Sequence, residues 1–231
     1  MPQHFRLDRL RAVSYLCLVA ACVSRPPAQP TPALPGLAPS EAASWAASTA
    51  PIGHRLTRFR WLFNDGQASV GGQGSARVAG PDSLRFDIAG PFGIGGAAAM
   101  VVGDEPRWVQ PPDIIARLIP SYPLMWAMFG VMRPPPGGAR SSGLREGKQV
   151  RLGWVRGADT VRYLREPGAL RAEWQRAGTT MGVVETRLDA DGRPVSARLT
   201  VPSVPARLDL TIVADSVVPA FPPTVWVAPA P

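Results

Sequence analysis

Cysteine, histidine and lysine are almost missing from these 231 residues: two cysteines, two histidines and one lysine, Lys148. Cys17 and His4 both fall in the first 21 positions, so His54 is the only histidine in the rest of the chain. Serine–histidine, cysteine–histidine and histidine-based metal sites therefore lack parts. Long apolar runs are missing too. The nearest, PPDIIARLIPSYPLMWAMFG, is broken by Pro120 and Pro123 and does not read as a membrane span. Acid is in short supply, with 17 carboxylates against 25 basic side chains, nearly all arginine, and a formal charge of +8. That excess suits acidic partners, although a uniform preference for arginine over lysine is mainly compositional. No basic patch interleaves aromatics as nucleic-acid modules do, so no nucleic-acid partner is expected.

What is present begins at the N-terminus. MPQHFRLDRLR is a short basic region, AVSYLCLVA a short apolar one, and Leu18-Val19-Ala20-Ala21-Cys22 closes it. The last five residues resemble a bacterial lipobox, which implies cleavage before Cys22 and acylation of that cysteine. Residues 1–21 are then a lipoprotein signal peptide, and the covalent lipid on Cys22 holds the protein on a membrane. Each buried methylene contributes about 0.8 kcal/mol, so two or more chains anchor firmly. Cys17 leaves with the signal, so neither a disulfide nor a thiol nucleophile is expected. Val23 and Ser24 follow the anchor, with no aspartate to retain it at the inner membrane, which implies an outer-membrane, periplasm-facing location.

Residues 22–40 continue as a tether, SRPPAQPTPALPGLAP, too rich in Pro and Ala to bury a core. The remaining 41–231 read as one domain. A short helix, EAASWAAST, is expected behind a Ser40 cap, with Trp45 closing over the core. Near His54 the pattern turns to period two. RFRWLF and LRFDI each place apolar residues on one face and charge on the other. After residue 148 the alternation resumes in QVRLGWVR, TVRYLR, ALRAEWQRA, MGVVETRL, PVSARLTV and ARLDLTIV, joined by short turn signals. About ten strands in a meander are too many for a flat open sheet. The expected fold is mainly β with helices: a strongly curved antiparallel sheet, a half-open β-barrel, lidded by short apolar helices. Those helices come from residues 111–130, with Asp113 capping the first. The tail AFPPTVWVAPAP reads as a last edge strand.

One motif invites a different reading. GPFGIGGAA, after LRFDIA, satisfies the dinucleotide pattern G-x-G-x-x-G/A. That fingerprint must open a long helix, and the chain reaches the turn Gly103-Asp104-Glu105-Pro106 too soon for one. Asp104 and Glu105 read as a solvated turn rather than an acid–base pair, and Asp189 and Asp191 as hairpin residues. The protein is not expected to be an enzyme, and no cofactor or metal is expected.

The order of elements resembles a known family. A lipobox, a Pro-rich tether, an alternating strand ending in Gly-Pro-Phe-Gly, apolar helices containing PSYPLMWAMFG, a Gly-rich loop and an all-β second half look like LolB. This is an outer-membrane lipoprotein receptor of the LolA/LolB superfamily, and the resemblance covers roughly residues 40–228. It implies a half-barrel whose hydrophobic cavity holds acyl chains. It also implies that Pro91, Phe92, Gly93 and Ile94 form a membrane-delivery loop, with Phe92 the protruding side chain. Candidate cavity residues are Trp61, Phe86, Ile115, Leu118, Leu124, Trp126, Met128, Phe129 and Trp154. The implied partners are an acylated lipoprotein or lipid ligand and a periplasmic LolA-type carrier. The alternative is a structural or assembly lipoprotein whose helices fill the barrel and whose outer surface docks a protein.

Overall fold

The computed structural model describes residues 36–91, 96–111, 121–135 and 139–227. The chain opens with α1 (Pro39–Ala47), followed by β1 (His54–Asn64), β2 (Ser69–Ala79), β3 (Ser83–Ala89), β4 (Gly96–Val102) and β5 (Glu105–Gln110). Then come α2 (Tyr122–Met128), β6 (Arg140–Glu146), β7 (Gln149–Arg156), β8 (Asp159–Glu166), β9 (Ala169–Arg176), β10 (Thr179–Leu188), β11 (Pro194–Val201) and β12 (Ala206–Val218). The twelve strands form one antiparallel sheet in the order β5-β4-β3-β2-β1-β12-β11-β10-β9-β8-β7-β6. The meander is thus closed in the middle by β12 returning to pair with β1, from Asn64 opposite Arg207 to His54 opposite Val218. β5 and β6 are the two free edges.

Laid flat, twelve strands about 4.8 Å apart would span roughly 50 Å. Yet Leu84 of β3, Val101 of β4, Val150 and Leu152 of β7 and Leu170 of β9 belong to one buried cluster, together with Tyr122, Leu124, Met125, Trp126, Ala127 and Met128 of α2. A single cluster drawn from both flanks requires the sheet to curl around it. The mainly β, open-barrel expectation is met.

Alternation decides which face is which. In β7, Val150, Leu152 and Trp154 are buried while Arg151 and Arg156 are exposed. In β1, Phe59 and Trp61 are buried while Arg58 and Arg60 are exposed. Cross-strand partners carry the same face across the sheet, as in Arg58–Ser75–Asp87 on the outside and Phe59–Gly74–Ile88 on the inside.

Twelve strands are found where about ten were expected. β2 was obscured by its composition, since SVGGQGSARVA does not alternate apolar with polar. Its glycines make room for aromatic rings of β1. A Cβ at Gly74 would lie 2.3 Å from Cε2 of Phe59, and one at Gly72 would lie 2.1 Å from the Ala89 carbonyl oxygen and 3.0 Å from the Trp61 indole nitrogen. β6, RSSGLRE, is a polar edge strand whose Gly143 lies 3.0 Å, measured from its would-be Cβ, from the Leu37 side chain. There the Leu37 amide donates to the Gly143 carbonyl at 2.8 Å, so the segment before α1 partly covers this edge.

Two expectations are corrected. Ser40 does not cap α1: the N-cap is Ala38 with no side-chain bond, and Pro39 occupies the first turn. Proline is favoured there because its missing N–H would have no helical partner. Trp45 does pack against the core, with the Arg145 guanidinium 5.2 Å from its ring centroid. The described part of the tail, 220–227, forms no edge strand. Pro222 and Pro223 remove two ladder donors, and Pro223–Trp226 is a 3-10 turn lying on β3, where Arg85 Nη1 donates to the Val225 carbonyl at 3.1 Å. Phe221 stands edge-on between His54 and Trp226.

Gly74→Ala is expected to lower stability by about 1–3 kcal/mol, because the new methyl must displace a buried ring. Gln73→Ala on the exposed face of the same strand should cost no more than about 0.5 kcal/mol. Urea unfolding of both variants checks this, and equal midpoints would refute the packing role of the glycine.

Candidate functional site

Because β5 and β6 are opposite edges, the chain between Gln110 and Arg140 has to cross the sheet. Its described part lies on the concave face. The described part of the crossing, 121–135, is built almost wholly from apolar residues, and Ser121 through Met132 are all buried. Seven residues are too few for a helix to persist alone, so α2 exists because the concave face holds it. Tyr122, Pro123, Leu124, Met125, Trp126, Ala127 and Met128 are buried on every side, the pattern of a helix enclosed by its own protein. Gly130 ends it at φ 78°, a left-handed value that glycine adopts freely, with Gly130 N–H donating to the Ala127 carbonyl at 3.0 Å.

Polar ties to this crossing segment are few and specific. Thr186 of β10 is buried and its hydroxyl donates to the Ala127 carbonyl at 2.7 Å, satisfying a group at the helix end. Thr49, just beyond α1, accepts from the Met132 amide at 2.8 Å. The Tyr163 hydroxyl of β8 donates to the Arg133 carbonyl at 2.8 Å and accepts from the Arg133 amide at 3.3 Å. Tyr122 donates to the Pro134 carbonyl at 3.1 Å. Arg133 then reaches the opposite flank. Its guanidinium donates to the Pro81 and Gly103 carbonyls at 3.0 and 3.1 Å and to Asp104 Oδ1 at 3.2 Å, so Asp104 belongs to this strap. Burial pushes the Tyr163 phenol well above its ordinary range, and it does the same to Tyr122 with help from the Asp104 charge. Burial also lowers the pKa of the Arg165 guanidinium. Two donors of this segment, Trp126 Nε1 and Arg133 Nε, are buried without a hydrogen-bond partner among the described residues, and the Arg133 guanidinium carbon stands 5.6 Å from the Trp126 ring centroid.

The residues singled out from sequence fall into three groups. Phe86, Leu124, Trp126, Met128, Phe129 and Trp154 all belong to the concave-face cluster. Phe86 stacks on Phe59 at 5.3 Å, both rings meet Phe129 at 6.1–6.2 Å, and Trp154 stands edge-on to Tyr163 at 5.7 Å. Trp61 is buried too, but it is a clamp: its indole N–H is shared between the carbonyls of Gln73 and Ala89 at 3.1 and 3.0 Å, pinning the end of β3 just before Gly90 and Pro91. Pro91 is exposed beside it, whereas Phe92, Gly93, Ile94, Ile115, Leu118, Asp113 and Cys22 lie outside the described residues. Sequence reading missed Tyr163, Thr186, Met125, Met132 and Arg133. An inward-facing Tyr and Thr on otherwise apolar strand faces are the signals that could have marked the first two.

The described residues 121–132 of this segment are buried against the concave face. Two surface concavities, of about 400 and 590 Å3, lie instead along the outer face, the first over β6–β9 and the second over β1–β3. Among the described residues no group of three or more His, Cys, Asp or Glu could hold a metal ion, and no helix is long and apolar enough to cross a membrane.

No family model matches the chain, and no curated protein matches it in sequence. Solved structures match its fold. The chain is similar to a putative outer membrane lipoprotein-sorting protein domain from Vibrio parahaemolyticus, with TM-score 0.58 and 13% identity over 80% of this chain and 94% of that one. It is likewise similar to a LolA superfamily protein from Nitrosomonas europaea, with TM-score 0.55 and 12% identity over 83% of this chain and 98% of that one. The chain therefore shares the fold of these two structures.

Tyr163→Phe should cost about 1–3 kcal/mol, since it strands a buried amide and carbonyl of Arg133. The raised phenol pKa adds a sign. The unfolded chain's tyrosines ionise near pH 10, so stability is full below that and falls as pH rises above it. Urea midpoints between pH 7 and 11 should fall less steeply in the Phe variant, and parallel slopes would refute the buried-phenol account.

Proposed function

We propose that this protein is a non-enzymatic lipoprotein of the outer membrane that takes an acyl chain onto the concave face of its half-barrel and passes it to the membrane. The observation that carries the reading is the segment from Ser121 to Met132. It is a completely buried, mostly apolar stretch held by a handful of hydrogen bonds, and the Trp126 indole N–H in its centre has no partner among the described residues. A buried donor without an acceptor costs about 1–3 kcal/mol, so the closed arrangement is less than fully satisfied. Met125, Met128 and Met132 line the same stretch, and methionine repacks against varied shapes at small cost. The segment acts as a plug that an acyl chain replaces. The LolA-type fold supports this reading, because its similar structures include a putative lipoprotein-sorting domain.

In this reading Cys22 carries the covalent lipid that anchors the chain, with the Pro-rich segment 22–40 as tether. Pro91 to Ile94 form the delivery loop, with Phe92 at its tip. Trp61 fixes the base of that loop through Ala89. A periplasmic LolA-type carrier supplies the acylated cargo. The filled concave face favours one other reading, an assembly lipoprotein whose plug never leaves and whose outer face docks a protein partner.

Native mass spectrometry of the Cys22→Ala chain, exported through a cleavable signal and extracted without detergent, separates the two. Acyl-lipid or lipopeptide adducts that vanish in Leu124→Glu are expected. A bare mass that also refuses added lipopeptide would overturn the carrier reading in favour of the assembly protein. Phe92→Glu should leave adducts intact and cut transfer of bound lipopeptide to vesicles by about tenfold, the loss of one side chain worth about 1.5–3 kcal/mol at a bilayer. Unchanged transfer would remove Phe92 from the delivery step.

A further inference from the structure

We infer that the outer face of β1–β3 is a groove for the phosphate headgroups of an anionic bilayer. The concavity there, about 590 Å3, is lined by Arg58, Arg60, Gln73, Ser75, Asp87 and Val213, among others. Register fixes the arrangement: Arg58 faces outward beside Ser75 and Asp87, and Arg60 beside Gln73 and Ala89. Arg77 and Arg85 pair with each other in the next row of the same face. Four arginines thus share this face with one carboxylate. Asp87 is already bound by Arg77 at 2.7 Å and by Arg85 at 3.0 Å. Arg58 and Arg60 are exposed and make no ion pair among the described residues. They stand two residues apart on one strand face, about 7 Å, which suits two guanidinium forks on neighbouring headgroups. Gln73 and Ser75 add neutral polar groups opposite them.

The margin of the groove is apolar. The register between β1 and β12 shifts after Arg58, from Ala214 to Ile212, and leaves Val213 unpaired and 61% exposed. Leu62, next outward on β1 after Arg60, is 42% exposed. Ala89, at the groove's edge, is where β3 ends and the Gly90–Gly95 loop begins. Cationic forks flanked by exposed aliphatic side chains match the boundary between headgroup and acyl layer, and free phosphate would find no use for the aliphatic margin. The groove deepens the delivery reading and rests on it: headgroups held at Arg58 and Arg60 would orient the loop end of the barrel toward the bilayer.

The test is vesicle co-sedimentation of the exported Cys22→Ala chain, using phosphatidylcholine alone and phosphatidylcholine mixed with phosphatidylglycerol. Binding to the anionic vesicles alone is expected, weakening with salt. The double variant R58Q/R60Q should lose about 30-fold, the share of two arginines near an anionic surface. The matched double variant R162Q/R187Q removes the same charge from exposed positions elsewhere on the sheet and should lose less than about threefold. Equal losses in the two variants would reduce the effect to net charge and overturn the groove, as would indifference to phosphatidylglycerol. Displacement by millimolar inorganic phosphate at constant ionic strength would assign the site to free phosphate and overturn the bilayer. Native masses of the same variants keep the two proposals apart. Acyl adducts without arginine-dependent vesicle binding sink the groove alone, and arginine-dependent binding without adducts sinks the carrier reading alone.

Discussion

The two ends of the meander set the problem that the rest of the molecule solves. β12 pairs with β1 in the middle of the sheet, so β5 and β6 are left as opposite edges and the chain joining them must span the sheet. A crossing on the convex side would expose apolar surface over arginine-bearing strands. On the concave side it is buried from Ser121 to Met132. The sheet curls because its inward side chains need something to enclose, and the crossing segment is what they enclose. Neither is stable without the other. A helix of seven residues has no independent existence, and a strongly curved sheet with an empty apolar interior would lose the dispersion contacts on which dense packing depends.

Such mutual dependence concentrates the polar bonds where they decide geometry. Thr49, Tyr163 and Thr186 each satisfy backbone groups of the crossing, and Arg133 carries it to the turns at Pro81 and Gly103 on the other flank. The bonds come from the turn after α1, from β8 and β10, and from the β2–β3 and β4–β5 turns, so the crossing ties together parts of the sheet that do not pair with each other. Each bond adds about 0.5–1.5 kcal/mol net, small beside the apolar burial, yet together they fix where the segment lies. Breaking these few bonds would free the segment only where another apolar group took its place against the sheet.

Much of this was legible in the sequence, and what was hidden was hidden for physical reasons. β7 to β11 and the first half of β12 alternate and are separated by glycine- or proline-bearing turns, so strand propensity and burial agree along most of their length. β2 fails that test because Gly72 and Gly74 are shaped by the rings of Trp61 and Phe59, a tertiary demand that no local pattern reports. Trp61 reads as one more inward aromatic, and only the carbonyls of Gln73 and Ala89 reveal it as the clamp on the loop base. The tail looked like an edge strand because proline is tolerated at edges, but Pro222 and Pro223 remove two ladder donors and the chain turns onto β3 instead. Concave-face residues such as Phe86, Leu124 and Trp126 were found because unbroken apolarity in a mainly β chain has few places to go. Composition gives no sign of whether that face is open or filled.

The filled interior bears directly on how a carrier of this shape would work. Releasing Leu124, Met125, Met128, Phe129 and Met132 from the concave face would expose side chains worth about 1.5–3 kcal/mol each, roughly 8–15 kcal/mol together. An acyl chain burying ~12 methylenes at about 0.8 kcal/mol apiece returns roughly 10 kcal/mol. The two terms nearly cancel, and the unpartnered Trp126 indole tips the balance toward a ligand that brings an acceptor. An empty, preformed cavity would lack that balance. It would gain the full burial energy of the chain and hold it too tightly to hand on. Replacement of a plug by a chain of similar apolar worth keeps both the loaded and the unloaded states within reach of a small bias, and a bilayer at the end of the barrel can supply one.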